Sequence, residues 1–165
     1  MSPHRIYIFT SPVHSGKTTT LQQWLRNNNI NAAGILTPDK DGKRMLYDIS
    51  ENQYHEMEKD ESCPPEDCLI IGKYRFSKDA FRTAKQILNE AVNKNPDWLI
   101  VDEIGKLELN EKTGLEPTIT HIIELYKNGS TNGKLLLVIR NYLLDEAVNT
   151  YGLSNDMIIN KHFFE

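Results

Sequence analysis

The 165-residue chain has little of what marks several large protein classes. It has no long apolar run. The longest, Leu135 to Ile139, is strand-length and far below the roughly 20 residues needed to cross a bilayer. The start, Met1-Ser2-Pro3-His4-Arg5, leads into another strand-length apolar run, so no signal peptide is expected and the cytoplasm is the expected location. There is no surplus of basic charge. A net charge of −4 and a pI near 5.7 give no general attraction to nucleic acid or to an anionic membrane. Cysteine is scarce as well. Cys63 and Cys68 form a lone Cys-x₄-Cys pair with His55 as the nearest histidine, which is weak support for a metal, and free thiols are expected. The surrounding Glu51 to Asp67, acid-rich and holding Pro64-Pro65, reads as a solvated loop or edge strand. No internal repeat, low-complexity tract or linker interrupts the chain. With 39% hydrophobic and 25% charged residues, it reads as one enzyme-like domain over residues 1–165.

What the chain does have is concentrated near its start. Ile6-Tyr7-Ile8-Phe9 precede Ser11-Pro12-Val13-His14-Ser15-Gly16-Lys17-Thr18, and a helix-like segment follows from Thr19. Strand, turn, Gly-Lys-Thr and helix form a P-loop, with residues 11–19 as the candidate nucleotide-binding segment. Consecutive backbone N–H groups and a helix N-terminus favour the anionic phosphates, and Gly16 lets the backbone approach them without a Cβ. In this role Lys17 reaches the β- and γ-phosphates and the Thr18 hydroxyl ligates Mg²⁺. One residue departs from the usual spacing: Ser11 stands where the first glycine of Gly-x-x-x-x-Gly-Lys-Thr belongs, at the entrance of the loop.

A partner motif lies downstream. Trp98-Leu99-Ile100-Val101 run into Asp102-Glu103, as a buried parallel strand delivering carboxylates to its C-terminal edge. Asp102 suits the second metal-holding position. Glu103 suits a general base for a water aimed at the γ-phosphate. Arg140-Asn141 directly follow the apolar Leu135–Ile139 run. If that strand is central, both residues emerge beside the γ-phosphate, where a cationic or amide group can sense the phosphate or stabilise transition-state charge; the alternative is a strand-end arginine paired with a surface acid. Lys106 and Glu108 support the site indirectly or form a surface ion pair.

The order of elements is alternating. Strand-like segments fall near 4–9, 32–37, 44–50, 68–72, 97–101, 134–139 and 156–159. Helix-like segments fall near 17–28, 77–93, 116–128 and 143–150. Asp41-Gly42 signals a hairpin, and Glu116-Pro117 suits a helix start with proline in the first helical position. The pattern predicts an α/β sandwich with a mainly parallel sheet and an antiparallel hairpin insertion over about 34–72.

Four segments together carry a family resemblance. They are Ser15-Gly16-Lys17-Thr18-Thr19, Ala33-Gly34-Ile35-Leu36-Thr37, Ile71-Gly72-Lys73-Tyr74 and Asp102-Glu103-Ile104-Gly105-Lys106-Leu107-Glu108. In this order the chain resembles, from residue 5 to about 145, the small P-loop nucleoside-triphosphatases of archaea, bacteria and vertebrates, which include the cancer-related nucleoside-triphosphatase. The resemblance implies a three-layer, RecA/AAA-like core that hydrolyses ATP, GTP and related triphosphates to the diphosphate. It also implies that the 134–139 strand lies between the P-loop strand and the Asp102 strand. The family's P-loop keeps its first glycine, and its loop after Thr37 carries an acid-rich run and an arginine. Here that loop is Pro38 to Arg44, with Lys40 or Arg44 as the substitutes.

Two other functions use the same motifs. A small nucleoside or nucleotide kinase clamps its phosphate donors with lid arginines, whereas beyond residue 83 this chain has only Arg140. A nucleotide-dependent switch with slow turnover would look the same in sequence. Arg75 and Arg82 are the candidates for action in trans, so a protein partner or oligomer stays open. The guanine-reading Asn-Lys-x-Asp signature is absent, since Asn160-Lys161 is followed by Phe at position 163. Broad nucleotide use is expected.

Overall fold

Strands that are apolar on both faces must be covered on both faces, and that requirement organises the molecule. The computed structural model describes residues 4–12 and 16–165. It begins with β1 (Ile6–Ser11), α1 (Lys17–Asn28) and β2 (Ala32–Leu36). An antiparallel section follows: β3 (Asp39–Lys40), β4 (Lys43–Asp48), β5 (Gln53–Glu56), β6 (Glu58–Lys59), β7 (Cys68–Ile71) and β8 (Tyr74–Ser77). The chain then forms α2 (Lys78–Asn93), β9 (Trp98–Ile104), α3 (Lys106–Leu109), α4 (Thr118–Lys127), β10 (Lys134–Arg140), α5 (Leu144–Tyr151) and β11 (Ile158–Ile159).

The main sheet has the order β11-β1-β10-β9-β2-β4-β3. Its strands from β11 to β2 pair in parallel, and β4 turns antiparallel against β2. β10 therefore lies between β1 and β9, as the family resemblance implied. Alternation along the strands divides the core into two. Ile6, Ile8, Leu99, Val101, Leu135, Leu137 and Ile139 face one side with the apolar faces of α2, α4 and α5. Phe9, Trp98, Ile100, Leu136 and Val138 face the other, against Leu21 of α1 and Phe164. Each such side chain contributes about 1.5–3 kcal/mol through burial. The result is helix–sheet–helix layering. On α1 Leu21 is fully buried with Trp24 and Leu25 half-buried beside it, and Phe81, Ala84, Ile87, Leu88 and Ala91 are all buried on α2.

Gly34 has a structural reason. It sits at φ +115° opposite Ile100, and a β-carbon there would overlap the Ile100 carbonyl oxygen. Only glycine lets β2 approach β9 this closely.

The antiparallel section is larger than expected. Asp41 and Gly42, at φ 54° and 80°, turn β3 into β4, as their sequence signalled. The insertion continues past residue 72, because β8 pairs back on β7 and β6 to make a second, three-stranded sheet. Pro117 precedes the first residue of α4 instead of occupying it.

The cysteine expectation is corrected. Cys63 and Cys68 are joined in a disulfide, not free. Two turns, Cys63 N–H to the Asp60 carbonyl and Asp67 N–H to the Pro64 carbonyl, fold the segment back. They bring the two α-carbons to 6.4 Å, within bridging range.

Candidate active site

The register of the central strands assembles the site. Ser11 ends β1 opposite Arg140, and Asp102 lies opposite Val138 of β10, so β1, β9 and β10 all finish at one edge. Ligands bind at this edge in open α/β sheets. A cleft of about 330 Å³ opens there, lined by Gly16, Lys17, Thr18 and Thr19 from the loop–helix junction and by Arg44, Glu103 and Arg140. Pro12 and Ser11 lead into it. The expectations for Val13, His14 and Ser15 lie outside the described residues.

Gly16 adopts the left-handed conformation at φ 81° and immediately precedes α1. Lys17 is buried, and its ammonium donates to the Pro12 carbonyl at 3.4 Å, bridging the loop. Burial lowers its pKa, while the carboxylates of Glu103 and Asp102 oppose that effect. The Thr18 hydroxyl donates to Asp102 Oδ2 at 2.7 Å, and the Thr37 N–H reaches the same oxygen at 3.2 Å. Asp102 is 1% exposed. Burial, followed by the nearby Glu103 charge, raises its pKa to about 6. Thr18 and Asp102 thus present adjacent hard oxygen donors, the kind Mg²⁺ takes.

Glu103 is aimed by a local irregularity. The β9–β10 register shifts so that Val138 faces Asp102 and Ile139 faces Ile104, leaving Glu103 as the extra residue. Bulges of this kind re-aim a side chain at a sheet edge. Glu103 Oε1 accepts from Arg140 Nε at 3.1 Å and Nη2 at 3.0 Å, and Arg44 Nη1 lies 3.6 Å away. Arg140 therefore pairs with an acid, but that acid belongs to the cleft. Arg44, arriving from β4, is held by Asp39 at 2.9 Å, and its backbone N–H donates to Glu58 at 3.3 Å. Of the two hairpin substitutes, Arg44 reaches the cleft, while Lys40 stacks over Tyr54. Asn141 does not line it.

Glu108 takes a different part from a surface ion pair. It is 3% exposed, and its two oxygens accept from Gly105 N–H at 2.8 Å and Leu115 N–H at 2.9 Å. It thereby fixes the backbone two residues beyond Glu103. Lys106 lies over the Tyr142 ring. Arg75 and Arg82 are engaged locally, by the Cys63 carbonyl and by Asp79.

Gly-Lys-Thr at the junction of a parallel strand and a helix, with Asp-Glu at the same sheet edge two strands away, defines the P-loop nucleoside triphosphatases. Residues 5–154 match the NTPase family, and the chain belongs to it as a nucleoside triphosphatase. Among solved structures it is similar to THEP1 from the hyperthermophile Aquifex aeolicus, at 18% identity over 94% of this chain and 87% of that one, with a TM-score of 0.71. It is likewise similar to a human cancer-related nucleoside triphosphatase, at 20% identity over 97% and 93% of the two chains, with a TM-score of 0.65. At these identities the likeness is one of fold. No curated protein matches the sequence. Among the described residues, no helix is long and apolar enough to cross a membrane.

Proposed function

We propose that this nucleoside triphosphatase hydrolyses ATP, GTP and related nucleotides to the diphosphate and phosphate with Mg²⁺, and that Lys17, Thr18, Asp102, Glu103 and Arg140 carry the reaction. The observation that carries this reading is the setting of Glu103, a carboxylate in the phosphate cleft with two guanidinium groups on its Oε1.

Lys17 exchanges the Pro12 carbonyl for the β- and γ-phosphate oxygens. Thr18 and Asp102 would hold the metal. When bound, Mg²⁺ neutralises charge on the β- and γ-oxygens. Glu103 accepts a hydrogen bond from a water in line with the γ-phosphorus. As the water oxygen bonds to phosphorus, the bond to the β–γ bridging oxygen breaks, and that oxygen leaves with the diphosphate. The water proton passes to the Glu103 carboxylate. Arg140 and Arg44 turn toward the γ-oxygens as negative charge develops there.

The deciding experiment incubates the protein with ATP and Mg²⁺, with and without a panel of nucleosides, nucleotides and vitamins. Phosphate release without an acceptor supports hydrolysis. A phosphorylated acceptor, with little phosphate released, would make the protein a kinase instead.

A further inference from the structure

The two sides of β1 bring different groups to the P-loop. Asp102, Glu103 and Arg140 arrive from β9 and β10 on one side. On the other side lies β11, parallel to β1 with Ile158 opposite Ile8 and Ile159 opposite Phe9. The chain leaves β11 at the phosphate edge and enters a short 3₁₀ turn, Lys161–Phe164. That turn is anchored at both ends. Asn160 Oδ1 accepts from the His162 N–H at 3.0 Å, and buried Phe164 packs on Phe9 and Trp24 with ring centroids at 4.7 and 5.1 Å.

These anchors carry Lys161 to the P-loop. Its Nζ lies 3.7 Å from the point a β-carbon on Gly16 would occupy. The ammonium therefore lies beside the backbone of Gly16. Lys17 feels the positive charges of both Arg140 and Lys161. The carboxylates of Glu103 and Asp102 act on Lys17 more strongly than either cation, and a phosphate set between the Lys17 and Lys161 ammonium groups would be attracted by both.

We infer that Lys161 is a phosphate-binding residue of the nucleotide site, meeting the triphosphate from the side away from Glu103. This rests on the P-loop reading above. Glu103 and Arg140 mark the γ end, so the opposite side of β1 faces the phosphates nearer the nucleoside. The α-phosphate, farthest from the bond that breaks, keeps its charge as the γ-phosphate leaves, and it is this phosphate that Lys161 meets. Lys161 therefore binds ground and transition states alike, and its loss acts on affinity and KM while leaving kcat in place.

The test titrates the full chain, Lys161→Met, Lys161→Arg and Lys17→Ala with ATP and with inorganic tripolyphosphate, and measures ATP turnover with Mg²⁺. For Lys161→Met, affinity for both ligands should fall about tenfold or more, as expected for a charged hydrogen bond, with kcat within about threefold of wild type. Lys161→Arg should restore most of the affinity. Unchanged affinity in Lys161→Met, with binding lost in Lys17→Ala, would overturn the inference and leave the P-loop reading standing. A loss for ATP but not for tripolyphosphate would also overturn it, since the contact would then be with the nucleoside. So would a fall in kcat accompanied by a lower Tm, which marks a brace for the loop. Binding retained in Lys17→Ala would remove the underlying reading, and the inference with it.

Discussion

Replacing Glu103 with Gln separates charge from shape at the centre of the cleft. The amide is nearly isosteric, so packing is unchanged. What is lost is the proton acceptor and the negative charge on the oxygen that Arg140 contacts at 3.0 and 3.1 Å and Arg44 approaches at 3.6 Å. Loss of a positioned base costs about 10²–10⁴-fold, so kcat for ATP should fall 100-fold or more. The stability effect follows from burial. The Glu103 side chain is 16% exposed, and the side chains of Arg140 and Arg44 are 32% and 26% exposed. Such partial exposure puts the loss well below the 3–5 kcal/mol of a fully buried broken pair, at about 1 kcal/mol. That corresponds to a Tm lower by about 2–4 °C for a chain of this size. A bound triphosphate supplies its own negative charge to both arginines. Affinity for ATP should therefore hold or rise about a few-fold, and saturating ATP should restore the lost Tm. Phosphate release at saturating Mg²⁺-ATP, and melting with and without nucleotide, check both parts. Wild-type turnover in Glu103→Gln would remove Glu103 from the mechanism. An unchanged Tm together with weaker ATP binding would refute the charge-sharing argument.

Three further outcomes are expected. Lys17→Ala should abolish triphosphate binding in a titration, and unchanged affinity would sink the P-loop assignment. Burial raises the Glu108 pKa from its ordinary 4.5 to about 7, with Glu116 adding to the rise and Tyr151 also close by. The folded state then holds a proton that the unfolded chain has already released, so stability should decline as pH rises from about 4.5 to 7, by on the order of 3 kcal/mol. Urea unfolding against pH measures this, and the same decline in Glu108→Gln would show that another group is responsible. The Cys63–Cys68 disulfide closes a loop with a sequence separation of 5, so reduction should cost about 2 kcal/mol in urea unfolding. Phosphate release should be unaffected, and a loss of turnover on reduction would mean the bridge reaches the cleft.

The parts legible in the sequence are those whose physics is local. Leu135–Ile139 and Leu99–Val101 are continuous apolar runs, and a continuous run of strand length reads as a strand buried on both faces. Gly16-Lys17-Thr18 and Asp102-Glu103 are legible because their spacing along the chain is itself the chemistry. Lys161 is not, since its position depends on β11 pairing with β1. The strand-like segment at 156–159 is readable, but nothing in it says that Ile158–Ile159 pairs with β1. Arg44 stands between these cases. It was one of two hairpin substitutes, and only the packing of β4 beside β2 separates it from Lys40. In sequence Glu108 reads equally as a support for the site or as a surface acid, because its partners are backbone N–H groups that any residue carries. The disulfide escapes for a similar reason: a Cys-x₄-Cys pair closes only if the intervening turns point the two side chains together.

On the proposed reading, the arginine contacts on Glu103 also bear on why water is the acceptor. The carboxylate that would activate water is engaged by Arg140, with Arg44 beside it. Both cations have a stronger partner once a γ-phosphate enters, since its oxygens carry more charge than one carboxylate. Substrate binding therefore draws the guanidinium groups away and frees Glu103 in the same step. The base becomes available only when there is a phosphate to attack, and departure of the phosphate returns the arginines to it. An enzyme that moves phosphate to another metabolite must leave the acceptor's place beside the γ-phosphate dry. On the proposed reading Glu103, once freed, takes that place and would orient a water there.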